Sequence, residues 1–75
     1  MTMITRVSNG AAIRAIRELT GITQFDLAER IGITQGALSN IERGRRASPY
    51  TTRKIADELG VTLEAITQTT AEAVA

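Results

Sequence analysis

Residues 24–42, QFDLAERIGITQGALSNIE, decide how the chain folds. Thr23 stands just ahead of them as an N-cap, and Asp26 three positions on is a short-armed counterpart of the capping-box glutamate. Phe25, Leu27, Ala28 and Ile31 supply the apolar positions of a short helix that Gly32 ends. Ile33 is an apolar residue in the turn. Thr34 then caps a second short helix, whose buried face is Leu38 and Ile41 and which Gly44 terminates. Ala28 sits where the first helix must let the second approach, and a larger side chain there would push them apart. Ile31, Ile33, Leu38 and Ile41 would lock the pair onto a core.

Outward from this unit, the same kind of signal repeats. Asn9 caps a helix over about 10–20, with Ala12, Ile13, Ile16 and Leu19 at three- and four-residue spacings and Gly21 as its stop. Ser48 followed by Pro49 starts another, which runs through Tyr50, Ile55, Ala56 and Leu59 to Gly60. Thr62 caps a fifth, with Leu63 and Ile66 facing inward. Residues 1–8 show no periodicity and read as an N-terminal arm. The stretch 68–75 is weak, and either extends the fifth helix or frays. The expected fold is all-α, five short helices over residues 9–67, with no strand signal competing.

Composition narrows the chemistry. Seventy-five residues make one small domain, and an aromatic content of 3% (Phe25 and Tyr50) requires an aliphatic core. With no Cys and no His, disulfides, thiolate or imidazole metal ligands and Ser-His or Cys-His catalysis are excluded. The longest apolar stretches run to only a few residues, too short for a membrane span or a secretory signal, so a cytoplasmic protein is expected. Asp57 and Glu58, adjacent on a helix, point about 100° apart and make a poor acid–base pair. No Gly-rich phosphate loop is present. No catalytic residue, metal or cofactor is expected. The net charge of +1 hides an uneven distribution: residues 30–54 carry Arg30, Arg43, Arg45, Arg46, Arg53 and Lys54 against Glu42 alone, whereas residues 55–75 carry four acids and no base. Positive charge focused on the middle third suits a polyanion.

The Gln24–Glu42 stretch also meets the spacing of a helix-turn-helix unit. From Ile13 to Ile66 the chain resembles the Cro/phage-repressor (Xre-type) helix-turn-helix family of bacterial and phage transcription factors. The resemblance is carried by Arg17, Gly21-Ile22-Thr23-Gln24, Leu27-Ala28, Ile31-Gly32, Thr34-Gln35, Leu38 through Gly44, Pro49 and Leu59-Gly60-Val61. It implies a compact, lambda-repressor-like domain whose third helix lies in the DNA major groove. The matching base-contact positions are Gln35, Gly36, Ala37, Ser39 and Asn40. Gln and Asn can bond adenine N6 and N7 together, each good pair giving about 1–3 kcal/mol of discrimination. Gly36 stands where the family often has a bulkier polar residue; it either lets the helix backbone approach the bases closely or is tolerated in a first turn.

Gln24 matches the family's phosphate-contacting glutamine and is otherwise an exposed polar residue after a cap. The guanidinium groups of Arg43, Arg45 and Arg46, otherwise a merely solvated loop, suit phosphate too, as do Thr34 and Tyr50 at their helix starts. Arg53, Lys54 and Arg6 have even claims to phosphate or to solvent. Arg17 and Glu42 are implied to form a partly buried ion pair fixing the third helix on the first. The expected partner is double-stranded operator DNA, bound by a repressor that occludes a promoter in a bacterial or phage-infected cell, nucleoid-associated. A homodimer using Leu63, Ile66 and Val74, which could equally be the domain's own core, or a further C-terminal domain in a longer protein, stays open. The competing readings are a protein-interaction module on the same scaffold and an antitoxin-like DNA-binding regulator.

Overall fold

Each of the four α-helices in the computed structural model, which describes residues 2–73, begins on a side-chain cap. Helix α1 (Gly10–Thr20) starts where Asn9 Oδ1 accepts from the Ala12 amide at 3.1 Å. For α2 (Gln24–Ile31) and α3 (Gln35–Glu42) the caps are Thr23 and Thr34, whose hydroxyls accept from Asp26 and Ala37 at 3.1 and 3.0 Å. Ser48 caps α4 (Pro49–Leu59), with the proline at its first position. Each cap satisfies an amide that the first turn leaves without an intrahelical acceptor. Helices α1, α2 and α4 end on Gly21, Gly32 and Gly60, all with left-handed φ of 69–78°.

The expected fifth helix is not there. Residues Leu63–Ile66 make a single 3-10 turn without a side-chain cap from Thr62, and the chain then becomes a strand. Strand β2 (Thr67–Ala73) pairs antiparallel with β1 (Thr2–Ser8), from Thr2 opposite Ala73 to Ser8 opposite Thr67. The fold is therefore helical with a two-stranded ribbon, not all-α, and residues 2–8 are half of that ribbon instead of a free arm. Composition explains the correction: Ile4, Thr5 and Val7, then Thr67, Thr69 and Thr70, are β-branched residues, poor at propagating a helix and well suited to a pleated strand. The ribbon is fastened to the helices by the Asn9 amide donating to the Ile66 carbonyl at 2.8 Å and the Ala47 amide donating to Ser8 Oγ at 3.0 Å.

Every helix and the 3-10 turn contribute one fully buried aliphatic side chain to the core: Ile13, Leu27, Leu38, Ile55 and Ile66. Burying each is worth about 1.5–3 kcal/mol. Ala28 is buried between α2 and its neighbours, as the close approach of α2 and α3 requires. Three residues expected to face inward do not. Leu19 is 86% exposed, Phe25 59% and Leu63 38%. The buried stripe of α1 runs Gly10, Ile13, Arg17; at about 100° per residue, Leu19 falls on the far side from it. Phe25 is likewise turned roughly 200° from Leu27, on the face opposite the α2 core stripe.

Candidate nucleic-acid interface

What holds α3 in place is a buried charge cluster. Arg17 Nε and Nη2 donate to Glu42 Oε2 and Oε1 at 2.7 and 3.1 Å, a two-pronged pair between α1 and the last residue of α3. The two side chains are 11% and 2% exposed. A third guanidinium N–H goes to the Ile22 carbonyl at 2.9 Å. Gln24 Nε2 donates to Glu42 Oε1 at 3.0 Å, so Gln24 is half-buried and not simply an exposed polar residue after a cap. With three of these donors on one carboxylate and the fourth on a carbonyl, the cluster has no unsatisfied buried side-chain atom among the described residues. Such geometry is directional, and it sets the tilt of α3 on α1 and α2.

Gly10 tightens the same junction and was not singled out in the sequence. Its Cα packs beneath the C-terminus of α3, where a Cβ would run into the carbonyl oxygens of Ile41 and Glu42. The available signal was a glycine directly after a cap, a position where alanine makes the better helix.

With α3 pinned by its inner face, the outer face is free. Leu38, Ile41 and Glu42 point inward, while Gln35, Gly36 and Asn40 are exposed and Ala37 and Ser39 half-buried at their flanks. The exposed arc carries no charge and no large apolar side chain. On one flank, Ser39 and Arg43 join Arg14, Arg17, Thr23 and Gln24 around an open cleft of about 440 Å³. There Arg43 Nη2 donates to Ser39 Oγ at 2.7 Å, while Arg14 pairs with Glu18 at 2.7 Å. That surface pair raises the guanidinium pKa and lowers the carboxyl pKa, through the hydrogen bond first and the charges second.

On the other flank, Arg45 and Arg46 border a hollow shared with Ala37, Ile41 and Thr51, so both lie beside α3. The loop carrying them folds back over the helix end, the Arg45 amide donating to the Asn40 carbonyl at 3.0 Å. Thr34 spends its hydroxyl on the cap of α3. Tyr50 is exposed at the start of α4, with Lys54 Nζ 5.1 Å from its ring centre, a cation–π pair that leaves the phenol edge outward. Arg53 is exposed; Arg6 Nη1 donates to Thr67 Oγ1 at 2.8 Å and so belongs to the ribbon.

Of the residues offered either for self-association or for the domain's own core, Ile66 is wholly buried in the core, and Val74 lies outside the described residues. Among the described residues no group of acidic side chains could hold a metal ion, and no helix is long and apolar enough to cross a membrane.

Two short helices at a fixed turn, the second presenting a polar face between guanidinium-bearing flanks, define a helix-turn-helix domain. A family model described as helix-turn-helix matches residues 13–66, and the chain belongs to that family. Repressor protein C of Rhizobium phage 16-3 is 43% identical over 56 residues, which cover 75% of this chain and 21% of that protein. The HTH-type transcriptional regulator for conjugative element SXT of Vibrio cholerae is 48% identical over 44 residues, 59% of this chain and 20% of the regulator. The chain thus spans about a fifth of the length of these curated relatives. Among solved structures, the clp gene regulator ClgR from Corynebacterium glutamicum superposes with a TM-score of 0.71 at 34% identity, over 73% of this chain and 60% of that one. The two curated relatives are named as a repressor and a transcriptional regulator.

Proposed function

We propose that the domain reads a specific double-stranded DNA site with α3 in the major groove and represses transcription by occupying an operator that overlaps a promoter. Gln35, Gly36, Ala37, Ser39 and Asn40 meet base edges in this reading. Gln24, Thr34, Arg43, Arg45, Arg46 and Tyr50 meet the phosphates on either side. The observation that carries it is the exposed, uncharged Gln35–Gly36–Asn40 face on a helix pinned from behind by Arg17 and Glu42, with Arg43 on one flank and Arg45 and Arg46 on the other. A polar face without charge can discriminate bases by hydrogen bonds, while guanidinium groups beside it suit the sugar-phosphate backbone, which fixes register without reading sequence. Repression is supported by the name of the phage relative, a repressor. Two copies on a two-fold symmetric site complete the reading, since paired recognition helices bind half-sites about one helical turn apart.

Selection of bound duplexes from a random pool tests this directly. A defined motif, its affinity falling steeply between 50 and 200 mM salt as phosphate neutralisation demands, is the expected result. Half-sites in inverted pairs would show the two-copy arrangement. Failure to enrich any sequence, together with no duplex binding at low salt, would leave the domain as a protein-interaction module.

A further inference from the structure

Five of the six glycines answer to a constraint inside the protein. Gly21, Gly32, Gly44 and Gly60 hold φ between 69 and 119°, where other residues are strained, and Gly10 has carbonyl oxygens where a Cβ would stand. Gly36 answers to neither. Its backbone is ordinary helix, and a Cβ built on it meets nothing within 4 Å. Glycine is the weakest helix former after proline, so the protein's own stability would be served better by almost any other residue at this exposed site.

Its place on α3 is equally specific. Ser39 and Asn40 stand three and four residues on, so Gly36 lies at the head of the ridge they form, and helical side chains lean toward the N-terminus, over the turn before them. The missing side chain leaves open space at the head of the exposed polar face, next to Gln35 and one turn before Asn40.

We infer that Gly36 is a specificity-determining position: its bare Cα admits the edge of one base pair to van der Waals contact with the helix backbone, which seats Gln35 and Asn40 deep enough to reach their bases. The surface exposed by a bare Cα is apolar, so the edge it suits is the apolar C5 corner of a pyrimidine, not the acceptor pair of a guanine. The inference rests on the DNA-reading function proposed above and adds to it the depth of docking and the chemistry met at that depth.

Gly36→Ala separates the protein's needs from the ligand's. The added methyl meets no protein atom, so the variant folds, and its Tm rises on the order of 4 °C. Affinity for the duplex selected by the unsubstituted protein falls at least tenfold, and falls further than binding to unrelated DNA at low salt, which depends on phosphates. A raised Tm with unchanged affinity for the selected duplex overturns the inference and leaves Gly36 as a tolerated first-turn residue. Gly36→Gln, put through the same random-pool selection, should enrich a motif altered at one position; an identical motif also overturns it. Failure of the unsubstituted protein to enrich any duplex instead removes the DNA-reading function itself, so the two failures are distinguishable.

Discussion

Replacing Arg17 with Ala tests the physical basis of the whole interface. The guanidinium gives Glu42 two charge-assisted bonds at 2.7 and 3.1 Å and the Ile22 carbonyl a third at 2.9 Å. Its removal leaves a carboxylate only 2% exposed, with the Gln24 amide donating to it at 3.0 Å. Breaking a buried pair from one side costs about 3–5 kcal/mol, because the surviving charge stays desolvated. Against a total of about 5–15 kcal/mol for a domain, that is a large fraction. At about 4–8 °C per kcal/mol for a chain of this size, the melting midpoint should drop by roughly 12–40 °C in a circular dichroism scan. The double variant Arg17→Met/Glu42→Leu removes both charges and should recover most of the loss, since apolar replacement of a buried pair is often neutral or stabilising. A single variant melting within about 3 °C of the unsubstituted domain would refute the reasoning, given the magnitude expected for an orphaned buried charge. So would a double variant less stable than Arg17→Ala.

Gly10→Ala should destabilise by about 1–3 kcal/mol, because the new methyl forces the end of α3 away from α1; chemical denaturation would measure it, and no change would mean the junction yields freely. Gln35→Ala and Asn40→Ala should leave melting unchanged and relax base preference at one or two positions, each by about 1–3 kcal/mol per lost bidentate contact, read out by repeating the duplex selection. Arg45→Ala should weaken binding to all sequences about equally and reduce the salt slope by about 1, as expected for one lost phosphate contact; a change confined to one sequence would assign it to bases instead.

Local signals carried most of the helical fold. Asn9, Thr23, Thr34 and Ser48 mark the helix starts and Gly21, Gly32 and Gly60 the stops, because caps and left-handed glycines act within a few residues of themselves. The ribbon was hidden because its two strands lie at opposite ends of the chain, each too short and polar to declare itself without the other. Leu19 misled for a related reason: the spacing that makes it look internal is shared by the stripe where Arg17 sits, and a buried arginine carries no hydropathy signal. In the interface, residue types were legible but engagements were not. That Gln24 donates to Glu42 and that Gly10 touches the end of α3 depend on how helices cross, which no window of sequence contains.

The pairing of Thr2 with Ala73 also imposes an order on folding. During synthesis residues 2–8 gain their strand partner only once residues 67–73 are made, whereas α1 to α4 lie between them and can pack on one another first. The ribbon is thus a clasp shut after the helices are assembled, and loosening it should fray both strands together while leaving α3 seated.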